Sequence, residues 1–166
     1  MFLGTLGSVV SWDGFAGEAP ELARVVKARF DAHRHKLLAT IRRDGSPRIS
    51  GTEVTFRDGE AWLGMMPNSR KALDLRRDPR LAMHSGSLDI DLVEGDAKIS
   101  GRAEEITDVQ ELERFRSHAG EIPPGPFHLF RVDLAEVVLT RVGDPPDHLV
   151  IESWHEGEGI RRAERR

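Results

Sequence analysis

Between Leu37 and Met66 the chain spells three short apolar runs, punctuated by Asp44-Gly45 and Arg57-Asp58-Gly59. No other feature narrows the possible folds as much. An Asp-Gly pair between such runs is the turn chemistry of tight hairpins, because glycine enters positive φ without steric cost. LLATIRR, RISGTEVTF and EAWLGMM are therefore expected to form three strands of an antiparallel meander. In the middle strand Ile49, Gly51 and Glu53 fall on one face, with Val54 and Phe56 at the far end.

The flanking segments fit the same kind of fold. Pro20 stands at a first-turn position. Behind it Leu22, Val25, Val26, Phe30 and His33 share one face of a helix expected to end near His35. SRKALDLRRD reads as a short helix stopped by Pro79, and RLAMHSG and GDAKISGRAEEI as a fourth and fifth strand. A helix is expected over 107–118 with Thr107 as its N-cap, followed by a Pro/Gly loop, EIPPGP. FHLFRVDL, EVVLTRV and HLVIESW read as three final strands. Residues 1–18 carry no period and are expected to be an irregular arm; 19–156 form the domain; the basic tail GEGIRRAERR, 157–166, is expected to fray or to pack on a partner. The fold class is α+β, dominated by an antiparallel barrel with a few flanking helices.

Length and charge limit the functions available. The chain has 166 residues, the size of one domain. Lys and Arg number 24 and Asp and Glu 28, a net charge of −4 without the basic excess of a nucleic-acid binder. There is no cysteine, which excludes disulfides and thiolate chemistry and fits a reducing, cytoplasmic home. MFLGTLGSVVSW lacks the basic start of a signal peptide, and no run approaches the roughly 20 apolar residues of a membrane helix.

The segment Pro67-Asn68-Ser69-Arg70-Lys71 places two cations where a helix begins. That is locally unfavourable, since a helix N-terminus already carries partial positive charge. A bound anion resolves the conflict: free backbone N–H groups, a serine hydroxyl, an arginine fork and a lysine together suit a phosphate. A solvated first turn, its cations paired with carboxylates elsewhere, is the alternative.

In order along the chain, LLATIRRDGSPRISGTEV, a strand with Trp62, SRKALDLRRDPRLAMHSG and GDAKISGRAEEI resemble the pyridoxamine 5'-phosphate oxidase-like family of FMN-binding split β-barrels, which includes F420-dependent reductases. The resemblance spans roughly residues 20–154, and its most specific part is Ser-Arg-Lys ahead of Asp-Pro-Arg. It implies that Arg70 and Lys71 bind a cofactor phosphate, with Ser69 assisting. It also implies that Arg48, Ile49, Ser50, Gly51, Thr52 and Glu53 lie along the cofactor ring and its ribityl chain, chiefly through backbone groups, with Met65 and Met66 packed nearby. A homodimer follows from it too, since each site in this family is completed by a second chain. Gly51, Thr52 and Glu53 depart from the Pro, β-branched and aromatic residues of many relatives, and Glu53 reads either as an inward acid or as an outward polar residue.

The expected function is that of a flavin-dependent oxidoreductase acting on a small molecule, with FMN as cofactor and F420 as the alternative. F420 carries an acidic tail and calls for a basic groove, for which Lys36, Arg42, Arg43, Arg48 and the tail arginines are candidates. A non-catalytic carrier of flavin or haem is the rival, with His84, His128 or His148 as axial ligands. His84 also reads as a hydrogen-bonded strand end, and Trp62 as core. Trp154 is expected to reach the dimer seam, and Asp74, Arg76, Arg77, Asp78 and Arg80 to form a charged face. His33 and His35 lack a third ligand at metal spacing, and no G-x-S-x-G elbow occurs.

Overall fold

Both Asp-Gly turns form as the residues dictate. Gly45 has φ 84°, and its N–H donates to Arg42 O at 2.9 Å. At the second turn Asp58 (φ 53°) and Gly59 (φ 77°) are both left-handed, the backbone of a two-residue hairpin. The structure, a computed structural model, describes residues 9–87, 91–118 and 124–166. Its elements are α1 (Trp12–Glu18), α2 (Pro20–Asp31), β1 (Lys36–Ile41), β2 (Pro47–Thr52), β3 (Thr55–Arg57), β4 (Glu60–Met65), α3 (Arg70–Arg77), β5 (Arg80–His84), β6 (Asp96–Ile106), α4 (Val109–His118), β7 (His128–Val142), β8 (Leu149–His155) and β9 (Gly159–Arg165).

The strands do not form a flat meander. RISGTEVTF is two strands, β2 and β3, and these stand at opposite ends of the pairing path β2-β1-β5-β6-β7-β4-β3. Only Glu53 and Val54 separate them, so the two ends of the path must lie close together. The sheet therefore curls into a barrel rather than spreading flat. FHLFRVDL and EVVLTRV, in turn, are a single strand, β7, paired with β6 along its length. The first part of β7 also pairs β4 (Met65↔His128 to Trp62↔Arg131) and its last part pairs β8 (Glu136↔His155 to Val142↔Leu149). This exchange of partners makes the barrel a split one. A register shift between Ser100 and Gly101 marks the change, and a Cβ on Gly101 would lie 2.0 Å from Asp133 O, so only glycine fits.

Leu38, Leu63, Ile99, Phe130, Leu134 and Val137 fill the core, covered by Val26 and Phe30 of α2 and by Trp12 and Phe15 of α1. A smaller cluster of Trp62, Ile106, Phe115 and Leu129 lies under α4.

Several elements differ from expectation. The expected irregular arm contains α1, capped by Ser11, whose Oγ accepts from Gly14 N at 3.0 Å. With seven residues and two glycines the helix shows no period, and burial of Trp12 and Phe15 holds it. The expected frayed tail is β9, which takes its backbone partners from β8 (Leu149↔Arg165 to His155↔Gly159). α2 stops at Asp31, leaving His33 exposed, and the Lys36 ammonium turns back to the His33 and Arg34 carbonyls. In α4 it is Asp108, not Thr107, that caps: its Oδ1 accepts from Glu111 N at 2.9 Å. Among the described residues no helix is long and apolar enough to cross a membrane.

Candidate functional site

β4 ends in the core. Met65 is 4% exposed, so its side chain is not part of an open site, whereas Met66 is 77% exposed. The chain then turns through Pro67 and Asn68, which adopts φ 56°. This backbone is held from behind. Asn68 N–H donates to His128 Nε2 at 3.1 Å, and His128 Nδ1 lies 2.8 Å from Glu105 Oε1. Glu105 in turn accepts both Arg76 Nε (2.6 Å) and Nη2 (2.8 Å), a fork that holds its carboxyl below the usual carboxylate range. Three elements, β6, β7 and α3, thereby fix one turn.

Ser69 stands at the N-cap of α3 with the extended backbone of a capping residue, yet its hydroxyl makes no cap bond. Ser69 Oγ is buried and has no partner. Arg70 points into solvent with no ion pair among the described residues. Lys71 reaches across to β2, where its ammonium donates to Gly51 O. Burial lowers its pKa, and nearby Glu53 partly opposes this. The structure thus joins the Ser69-Arg70-Lys71 turn to the strand expected to run beside it.

Along β2 the residues divide by face. Arg48 is half-buried, and its Nε bonds Asp74 Oδ2 at 2.6 Å, where Thr40 Oγ1 also donates at 2.9 Å. Its side chain therefore anchors β2 to α3. Thr52 is buried, and Ser50 is partly so. Ile49 is 73% exposed, and nothing lies within 4 Å of where a Gly51 Cβ would stand. Leu37 and Ala39 pair with Gly51 and Ile49, and Ala82 with Ala39, so these apolar residues share one outer face of β2, β1 and β5. Glu53 lies just past the end of β2 and pairs with the exposed Arg34 at 2.9 Å.

Asp74 is the organiser that the sequence reading placed merely on a charged face. It is 4% exposed and lies on the buried side of α3 with Ala72 and Leu75. Burial alone would raise its pKa, but bonds from Arg48, Thr40 and Arg77 bring it below the usual value. The available signal was an acid at an apolar helix position, which demands partners. His128 gave no such signal, because its partners are distant in sequence.

Other expectations separate cleanly. Trp154 is not at a seam: it is fully buried against Phe15, and its indole N–H donates to Glu18 at 2.7 Å. Trp62 is core, bonded to Arg57 O at 3.0 Å. His84 is a hydrogen-bonded strand end, its Nδ1 accepting from Gly86 N at 3.0 Å. Of the candidate axial ligands, His128 is engaged at both ring nitrogens, and His148 Nδ1 lies 2.8 Å from Asp147. No group of three or more metal-ligating side chains occurs among the described residues. Of the proposed basic groove, Lys36 is buried in capping bonds and Arg48 is held by Asp74, Arg42 and Arg43 are exposed on the turn between β1 and β2, and five strands stand between β2 and the tail arginines of β9 along the pairing path. Concavities of about 460 and 320 Å³ lie under α4 and beside α2, and on β2 Ile49 and Gly51 are exposed in a single chain.

Comparison with known proteins agrees with this architecture. The chain is similar in fold to PhzG of Burkholderia lata, a structure in complex with tetrahydrophenazine-1-carboxylic acid (15% identity, TM-score 0.56, covering 86% of this chain and 87% of that one). It is similar to HupZ of Group A Streptococcus (13% identity, TM-score 0.60, 72% and 94% covered). It is also similar to the conserved protein Rv2991 of Mycobacterium tuberculosis (24% identity, TM-score 0.54, 70% and 81% covered). No curated protein matches the chain. The model of the family described as pyridoxamine 5'-phosphate oxidase matches residues 22–141, well over half the sequence and the whole path from α2 to β7, and the chain belongs to that family.

Proposed function

We propose that this protein is an oxidoreductase that holds FMN between the α3 turn and β2 and works as a homodimer. The observation that carries this reading is the buried, unpartnered Ser69 Oγ, with Arg70, the next residue, exposed and without an ion pair among the described residues. A hydroxyl without a partner at a helix N-cap, followed in the chain by an exposed arginine, fits a phosphate that accepts from both once Arg70 turns towards it. Lys71 adds a second cation. Gly51, with open space above its backbone and Ile49 and Leu37 beside it, fits a flat apolar ring. Bound FMN supplies the hydride or electron transfer that side chains do not perform. The chain's own residues bind the phosphate, lay the ring on the strand and exclude water from one of its faces.

Two observations support a second copy. The site has one wall, and the exposed Ile49 (73%), Leu37 (50%) and Met66 (77%) offer an apolar surface for another. FMN is taken first because its one phosphate needs no more than the α3 turn supplies; Lys36 and Arg48 are engaged elsewhere, but Arg42 and Arg43 lie exposed on the turn between β1 and β2, so F420 stays the alternative that the titration decides. Titration of dialysed protein with FMN and separately with F420, read by quenching of its three tryptophans, tests the assignment. Arg70→Ala is expected to weaken FMN binding by about 1.5–3 kcal/mol, the worth of a charged hydrogen bond. Unchanged affinity would remove Arg70 from the site, and no saturable binding of either cofactor would overturn the reading.

A further inference from the structure

The turn that carries Ser69 and Arg70 is closed on itself by Ser69 N–H donating to Met66 O at 3.2 Å, and it is tied to the barrel by one side-chain acceptor, a histidine. His128 Nε2 accepts from Asn68 N–H at 3.1 Å, which requires an unprotonated Nε2. The ring proton is then on Nδ1, where it faces Glu105 Oε1 at 2.8 Å. His128 is 8% exposed, and Asn68 holds a left-handed φ of 56°, a conformation that needs support. We propose that His128 is the positioning residue of the cofactor-phosphate turn, and that its protonation releases the Asn68 backbone and loosens the Ser69-Arg70-Lys71 cradle.

The physics is a donor facing a donor. Protonated imidazole has N–H on both nitrogens, so Nε2–H would point at Asn68 N–H and the bond would be replaced by repulsion. Imidazole is the side chain that makes this change between about pH 5 and 8. Among the described residues two charged groups form the network around it: Glu105 from β6, which favours the protonated ring, and Arg76 from α3, which already draws on that carboxylate with a two-pronged bond. β4 opposes His128 with Met65, which carries no charge. Glu105 stays anionic across the range, since Arg76 first and His128 second hold its pKa low. A proton gained by His128 Nε2 would act directly on the Asn68 N–H, the backbone group that ties the turn to β7.

This inference rests on the phosphate reading of the α3 turn, so two measurements keep the pair distinguishable. The first uses the protein without cofactor: the Asn68 amide resonance is followed by NMR against pH alongside the His128 ring signals. The two are expected to titrate together. An Asn68 amide that does not move as His128 protonates would overturn the proposal, whatever the cofactor result.

The second is the FMN dissociation constant at pH 8 and pH 5.5 in wild type and His128→Gln. The Gln amide oxygen can accept near the Nε2 position but cannot gain a proton. Wild type should lose about tenfold more affinity than the variant between the two pH values, the cost of one broken hydrogen bond to a buried group. Comparison with the variant is needed because a phosphate monoester itself protonates near pH 6, which weakens both proteins alike. Equal pH dependence in the two proteins would overturn the proposal. Absence of FMN binding at pH 8 in wild type would sink the cofactor reading and the cradle part of the proposal with it, leaving the Asn68 titration to decide the positioning role. If His128→Gln does not fold, the amide titration in wild type alone decides.

Discussion

Asp74→Ala tests how firmly α3 is tied to the barrel. The carboxylate is 4% exposed and accepts from Arg48 at 2.6 Å, Thr40 at 2.9 Å and Arg77 at 3.2 Å. Removing it leaves the Arg48 guanidinium and the buried Thr40 hydroxyl without their acceptor. The Arg48 bond is worth about 1.5–3 kcal/mol and the Thr40 bond about 1 kcal/mol, and the Arg77 contribution is discounted because that side chain is a third exposed. The total is about 3 kcal/mol, which for a domain of this size is a fall in Tm of about 6–12 °C. Urea unfolding followed by tryptophan fluorescence measures it directly. The pH dependence gives a second check. The folded-state pKa of Asp74 lies below its unfolded value, so its stabilisation is fully present above about pH 4 and disappears as pH falls through the folded value. The gap between wild type and variant should therefore narrow in acid. The double variant Arg48→Met/Asp74→Ala should recover part of the loss, because it leaves no unpaired cation. A cost below about 1 kcal/mol for Asp74→Ala, or a gap that widens in acid, would refute the reasoning.

Two further outcomes are expected. Gly101→Ala forces a methyl to within 2.0 Å of Asp133 O at the register shift of β6 and β7, and should destabilise by on the order of 3 kcal/mol in urea unfolding; a change under about 0.5 kcal/mol would mean that the strands shift freely there. Ile49→Asp places a charge at a position 73% exposed in one chain, so it should leave the chain folded yet convert a dimer to monomers in analytical ultracentrifugation, with Tm falling only by the stabilisation that association supplied; a wild type that is monomeric at micromolar concentration refutes the dimer face.

The sequence by itself determined whatever depends on near neighbours. Asp44-Gly45 and Asp58-Gly59 made their turns because glycine accepts the backbone required, and Pro20 opened its helix for the same local reason. The odd placement of Arg70 and Lys71 at a helix start was visible without coordinates. So was the family, because its words recur in order along 22–141.

The tertiary structure decided what depends on residues far apart in the chain. It broke RISGTEVTF into two strands at opposite ends of the path and fused two expected strands into β7, since pairing and barrel closure, not propensity, choose strand limits. It turned a frayed tail into β9 by offering the edge of β8. It put Met65 and Trp154 in the core, which alternation alone leaves ambiguous when both faces of a strand are covered. It also supplied partners: Asp74 for Arg48 at 26 residues' separation, and His128 for Asn68 at 60. Hydrogen bonds of that span leave no periodic trace in a sequence, because their geometry exists only after the chain has closed on itself.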